Sequence, residues 1–215
     1  MGSTRLPGKV LRPIGGVPLL EYIVRRLDRL RHAASVVIAT TTLSMDDEIE
    51  LHARRLGVRS YRGSECNVLE RYCLCARENR FSQIVRLTAD NPFTDIEELD
   101  RLLDLHLGGA NDFSHSFRSL PVGVGAEVFT FDALERSFAS AREPHHLEHV
   151  DEYMLEHPEL FRTATLEVSG PKNRPDVRLT VDTEEDYRRA SVIAERACGP
   201  YVGTEEAIRL CMQYA

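Results

Sequence analysis

The residues at positions 1–9, Met-Gly-Ser-Thr-Arg-Leu-Pro-Gly-Lys, combine a small, flexible backbone with two fixed cations. Backbone N–H groups freed by glycine, with Arg5 and Lys9 beside them, suit a polyphosphate. Arg5 can fork across two phosphate oxygens, and Lys9 acts as a point charge. Gly2, Ser3 and Thr4 extend the same loop. A basic string at an N-terminus can also be no more than a frayed end. Two carboxylates are the natural complement. Asp90 follows the apolar stretch 84–88, and Asp182 follows the stretch 179–181. Open α/β sheets bind ligands beyond the carboxyl ends of their strands. Two carboxylates from separate strand ends can hold one Mg²⁺, which favours oxygen ligands and bridges to phosphates. Each aspartate can equally be a turn or cap residue, and Asp182-Thr-Glu-Glu reads as a helix start.

A histidine cluster, His145-His146-Leu-Glu-His149, is the other chemical candidate. His145 and His149 are four apart, a spacing that can bind zinc on a helix. No cysteine or further histidine nearby completes such a site, so a metal role is not expected there.

The elements that must position these residues follow from periodicity. Residues 18–32 read as an amphipathic helix, with Leu19, Leu20, Ile23, Val24, Leu27 and Leu30 inward and Arg25, Arg26, Asp28 and Arg29 outward. The β-branched run 35–42 predicts a strand buried on both faces. Asp46 or Asp47 can cap a helix that Gly57 ends. A short strand over 58–62, a helix over 67–80 and a strand over 83–88 follow, the last blocked by Pro92. Asp95 caps a helix that stops at Gly108-Gly109. This order predicts right-handed crossovers in a parallel sheet. The second half predicts strands over 112–117, 126–131, 161–168 and 178–181, and helices over 132–141, 147–157, 184–198 and 204–214. No linker is long or polar enough to divide the chain, so residues 1–215 form one α/β domain, with an inserted hairpin region over about 111–160.

Composition narrows the partners. With 215 residues, 42% of them hydrophobic and 28% charged, the chain can bury a sizeable core. The formal net charge of −7 argues against general nucleic-acid binding but leaves room for a local basic pocket. No apolar run is long enough to span a bilayer, and no leader is visible, so a cytoplasmic location is expected. The five cysteines form no CxxC pair and read as reduced thiols.

Taken together, these segments resemble the cytidylyltransferases that activate sugar acids, such as CMP-KDO synthetase and CMP-sialic acid synthetase. They are most similar to the spore coat polysaccharide biosynthesis protein F family. The resemblance rests on the string 2–9, Arg62-Gly-Ser64 with Val68-Leu-Glu-Arg-Tyr72, Arg86-Leu-Thr-Ala-Asp-Asn-Pro92, Glu127-Val-Phe129, Glu148-His-Val150 and Leu179-Thr-Val-Asp-Thr-Glu-Glu-Asp-Tyr187. It implies a nucleotide-diphospho-sugar transferase fold, a three-layer sandwich on a mostly parallel mixed sheet. It implies transfer of CMP from CTP to a sugar acid or related acceptor with release of pyrophosphate, Mg²⁺ dependence and a homodimer. Arg5 and Lys9 then hold the triphosphate as catalytic cations, with Gly2, Ser3 and Thr4 in the nucleotide loop. Asp90 and Asp182 carry Mg²⁺, Arg62 and Arg86 reach the nucleotide or acceptor, and Glu127 and His149 line the acceptor side.

The sequence departs from that family at three places. Related enzymes begin with an apolar strand before the glycine loop, whereas here the loop opens the chain, so the sheet is expected to lack its usual first strand. A start codon placed inside the motif is the favoured explanation, with weaker nucleotide binding as its consequence. The segment 119–126 is apolar where an acidic residue or arginine is usual, and Asn67 stands in place of an aspartate. Two rival readings keep the fold: a different nucleotide or a phosphorylated acceptor, and a non-catalytic nucleotide-binding homologue.

Overall fold

In the computed structural model, which describes residues 1–199 and 201–214, strands and helices alternate along the first half of the chain. A short antiparallel pair, β1 (Pro13–Ile14) and β2 (Val17–Pro18), leads into α1 (Leu19–Arg26). Then come β3 (Val37–Thr41), α2 (Asp47–Arg55), β4 (Arg59–Gly63), α3 (Val68–Glu78), β5 (Gln83–Arg86) and α4 (Ile96–Gly108). The second half holds β6 (Phe113–His115), β7 (Glu127–Thr130), α5 (Phe131–Ser140), α6 (Pro144–Glu148), α7 (Glu152–Glu156), β8 (Thr163–Thr165), α8 (Glu184–Arg196) and α9 (Thr204–Tyr214).

β3 and β4 pair in parallel as a separate ribbon. A four-stranded mixed sheet runs β5-β7-β6-β8, with two antiparallel contacts and a parallel one at β6–β8. The α/β architecture with a mixed sheet is the one expected, but among the described residues no strand hydrogen-bonds to both sheets, and the parallel sheet expected over the first half is confined to the β3–β4 pair, because β5 pairs antiparallel with β7 instead. The ribbon's isolation explains one difference from expectation. β3 alternates buried and half-buried residues, with Ile38 and Thr40 inside, instead of being buried on both faces.

Adjacent residues of β7 show how the layers form. Successive side chains of a strand point to opposite faces. Val128 joins a core built from α1, α4, α8 and α9, while Phe129 joins one built from α3, α5 and α7. The register places Ile84, Phe129 and Phe113 side by side on the second face. One pleat further along that face lie Arg86, Glu127 and His115. The sheet thus carries an apolar row and, next to it, a polar one.

Local expectations are corrected at several points. Helix α1 ends at Arg26 and passes into a 3₁₀ turn, Leu27–Arg29. Arg26, placed outward by periodicity, is buried and donates to the carbonyls of Thr94 and Val202, stacked against Tyr201. The helix expected over 147–157 is two short helices, because His149 turns extended and the fully buried Val150 is drawn into the core between them. Residues 178–181 form no strand; Arg178 makes a single bridge to Val122, and Val181 N–H bonds instead to the carbonyl of Asp90. Asp46 stands at the N-cap of α2 as expected, but its side chain makes no capping bond: the buried carboxylate accepts from the Thr40 and Thr41 hydroxyls and the N-terminal ammonium, which hold it well below the usual carboxylate range despite burial.

Candidate active site

The loop 2–8 is pinned by Leu6, whose side chain is buried in the main core and whose N–H bonds to the Ser3 hydroxyl at 3.2 Å. Gly8, with φ 68°, turns the chain into the 3₁₀ turn Lys9–Leu11. A left-handed φ of that kind favours glycine. From this turn the Lys9 ammonium donates to Asp90 Oδ2 at 2.8 Å, to Asp182 Oδ1 at 3.0 Å and to the Val181 carbonyl at 2.8 Å. Lys9, Asp90 and Asp182, separated by up to 173 positions, are therefore brought together.

Each aspartate is held by its own loop. Asp90 leaves the end of β5, with its other oxygen on the Thr88 hydroxyl at 2.6 Å. Asp182 is freed for the site because Thr183, not Asp182, caps α8, with Asp186 completing a reciprocal capping box. Asp186 also accepts from the Asp182 N–H at 3.1 Å and the Arg178 guanidinium at 3.3 Å, and its pKa falls to about 2 because these bonds outweigh burial. Asp182 is lowered too: burial raises it, but the Lys9 hydrogen bond and charge, then Arg178, outweigh burial. Gly123, φ 89°, lies under this segment. A Cβ there would sit 2.6 Å from Thr180 Cβ and 2.7 Å from its backbone nitrogen. The apolar segment 119–126 thus supports the Asp182 loop by close backbone approach, while Leu120 and Val124 fill the core.

Arg5 lies 3.6 Å from Asp182 with its side chain 66% exposed, open to a ligand. Gly2 and Thr4 are exposed beside it. Arg62 is committed elsewhere: it donates to the carbonyls of Thr41 and Leu43 and to Asp47 and Glu50, tying the end of β3 to α2. His149 is exposed in the α6–α7 turn, and among the described residues its side chain makes no hydrogen bond.

Arg86 and Glu127 belong to the polar row. Arg86 Nη1 donates to Glu127 Oε1 at 2.6 Å, above the Tyr72 ring. His115 is next in register, and its Nε2 lies 3.2 Å from the Thr165 hydroxyl on β8. Arg86 Nε, Glu127 Oε2 and His115 Nδ1 are buried without a hydrogen-bond partner among the described residues. Burial raises Glu127 to about 7; Arg86 opposes and Asp151 assists. Burial, then Arg118, lowers His115. The Phe117 ring stacks on His115 at 4.4 Å.

Sequence reasoning missed His115, Thr88, Arg178 and Asp186. The tail of Asp182-Thr-Glu-Glu-Asp carried the signal for the last, since a Thr with an acid three residues on is a capping box. His115 has no local signal.

The family model described as cytidylyltransferase matches residues 1–211. The chain belongs to the cytidylyltransferase family. It is accordingly a nucleotidyltransferase. It is 38% identical over 216 residues to the spore coat polysaccharide biosynthesis protein SpsF of Bacillus subtilis, covering 98% of this chain and 90% of that one. It is 31% identical over 112 residues to a 3-deoxy-manno-octulosonate cytidylyltransferase of Anaeromyxobacter dehalogenans, covering 51% of this chain and 45% of that one. Among solved structures, a cytidylyltransferase from Leptospira borgpetersenii superposes with a TM-score of 0.92 at 32% identity, covering 100% of this chain and 91% of that one. CMP:2-keto-3-deoxy-manno-octonic acid synthetase, solved in complex with CTP, shares the fold at a TM-score of 0.68 and 16% identity, covering 91% of this chain and 95% of that one. No described helix is long and apolar enough to cross a membrane.

Proposed function

We propose that this cytidylyltransferase moves CMP from CTP to a hydroxyl of a sugar-acid-like acceptor, with release of pyrophosphate, in the synthesis of a surface polysaccharide. The observation that carries the reading is the Lys9 ammonium cradled by Asp90, Asp182 and the Val181 carbonyl. Three hard oxygens from two loops already surround one positive charge. That donor set fits Mg²⁺, which takes oxygen ligands and is held by one or two carboxylates in phosphate chemistry. Asp90 and Asp182 would hold the ion, which when bound neutralises phosphate charge.

The chain's own residues supply the rest. Arg5 is exposed and oriented by Asp182, so it can fork across triphosphate oxygens. Lys9 redistributes from the carboxylates toward the phosphates as negative charge arrives. The acceptor oxygen attacks the α-phosphorus while the α–β bridging bond breaks, a step driven mostly by positioning and charge neutralisation. Arg86, Glu127 and His115 offer unsatisfied polar atoms and suit a polyhydroxylated acceptor; Asp151 acts electrostatically on all three, and His149 lies in the same turn as Asp151. The surface-polysaccharide role is supported by the likeness to SpsF, and the acceptor class by the likeness to the octulosonate enzymes.

The deciding experiment is calorimetric titration with CTP, with and without Mg²⁺, against ATP, GTP and UTP. CTP-selective, Mg²⁺-dependent binding is expected, followed by pyrophosphate release on addition of 3-deoxy-manno-octulosonate or another sugar acid. Equal binding of all four nucleotides would reassign the donor.

A further inference from the structure

Helices α6 and α7 bring three side chains to one point, away from the Lys9 cradle. His145 Nε2 lies 3.0 Å from one oxygen of Glu156, and His146 Nε2 lies 2.6 Å from the other. The three donor atoms all fall within 4.8 Å of one another. The two imidazole centroids are 4.1 Å apart. His146 is buried, and the Tyr153 ring meets it edge-on at 5.3 Å, which fixes its orientation. His145 and Glu156 face solvent, so an ion and its waters have access. Among the described residues no lysine or arginine pairs with Glu156, so its carboxylate answers to the two imidazoles alone.

The donor chemistry separates this cluster from the Asp90–Asp182 pair. Two imidazole nitrogens and one carboxylate, with a side left open for water, form the donor set of zinc-like first-row ions. Mg²⁺ prefers oxygen ligands throughout and keeps most of its waters. The i, i+4 histidine spacing legible in the sequence is not the one used: His149 is the extended C-cap of α6 and is not among the clustered donors, and the carboxylate arrives from the next helix. We propose that His145, His146 and Glu156 form a binding site for a divalent transition-metal ion of the zinc type.

The site has a structural consequence. It joins the start of α6 to the end of α7 across the turn at 149–151. That turn is otherwise held by few bonds, among them His149 N–H to the His145 carbonyl at 2.8 Å. Asp151, within the turn, acts electrostatically on Arg86, Glu127 and His115. A bound ion therefore staples the segment that faces the polar row.

The test is a Zn²⁺ titration of the metal-stripped full chain by calorimetry, with Mg²⁺ saturating so that the Asp90–Asp182 pair does not compete. Co²⁺ absorption is recorded in parallel. Expected are one tight equivalent of Zn²⁺ and a Co²⁺ d–d band without thiolate charge transfer. His145→Ala and Glu156→Gln each weaken Zn²⁺ binding by more than the ~100-fold that loss of a merely supporting contact can cost. Both positions are exposed, and unchanged melting temperatures without metal show that both variants fold. Undiminished Zn²⁺ binding in the two variants overturns the proposal, as does the absence of Zn²⁺ binding by the parent chain. A thiolate band, placing the ion on exposed Cys66 or Cys198, overturns it equally.

Discussion

The Lys9 cradle, built from a 3₁₀ turn and two loops, and the Arg86–Glu127–His115 row, built on three paired strands, are both clusters of opposite charge, yet they are completed differently. In the cradle every charge is answered: Lys9 meets three oxygens, and the second oxygens of Asp90 and Asp182 meet Thr88 and Arg178. In the row three buried polar atoms are left without partners among the described residues. Buried groups left unpaired carry a desolvation cost of about 1–3 kcal/mol each. The protein thus tolerates strain in the row that it avoids in the cradle. The difference teaches that a lysine placed between two aspartates satisfies the cradle from within the chain, whereas the row keeps polar atoms that no described side chain answers.

Breaking the cradle should give the largest effect. Asp90→Asn or Asp182→Asn is expected to lower Mg²⁺-dependent pyrophosphate release by at least ~10²-fold, the scale of losing one electrostatic stabiliser of a transition state. Steady-state assays against CTP check this. If Asp90→Asn leaves both metal-dependent binding and turnover intact, Asp90 has no metal role. Lys9→Met separates the two functions of that lysine. Turnover should drop by roughly 10-fold or more as phosphate neutralisation is lost. Mg²⁺ binding without nucleotide should strengthen, because the competing ammonium is gone; calorimetry reads both.

Glu127→Gln sharpens the other half of the comparison. The carboxyl of Glu127 rises from 4.5 to about 7 on folding. In that window the folded chain holds a proton that the unfolded chain has released, so stability falls as pH rises from about 4.5 to 7. The slope is at most about 1.4 kcal/mol per pH unit. The difference in stability between parent and Glu127→Gln, from denaturant melts at several pH values, should follow that slope and flatten above pH 7. Subtraction removes His106 and His115, whose lowered pKa values act in the opposite sense. A pH-independent difference would show that Glu127 stays ionised beside Arg86.

The smallest effect is expected at the support of the cradle. Thr183→Ala removes the α8 cap and should cost about 1 kcal/mol of stability, with Mg²⁺ affinity reduced only slightly because Asp186 still holds the Asp182 N–H.

Much of this was legible in advance, for identifiable reasons. Periodicity located α4, α5, α8 and α9 because each shows one apolar face to the core. Asp95 and Asn67 cap α4 and α3 through their own side chains, as local chemistry dictates; at Asn67 the amide oxygen does what an aspartate would. Periodicity failed where tertiary contacts overrode it. Arg26 turns inward to two carbonyls, and the 147–157 helix gives way to the packing of Val150. Arg62 looked like a rim cation, but two acids on α2 and two backbone carbonyls claim it.

The sequence by itself determined the helix–strand alternation, the two loop cations and the two aspartates beyond apolar stretches, because these depend on residue type and short spacing. The tertiary structure alone decided that Lys9 lies between Asp90 and Asp182, that Arg86, Glu127, His115 and Thr165 form one row, and that Glu156 meets His145 and His146. The row follows from strand register, which a one-residue slip would reverse to the opposite face, and register is set by packing across the whole sheet.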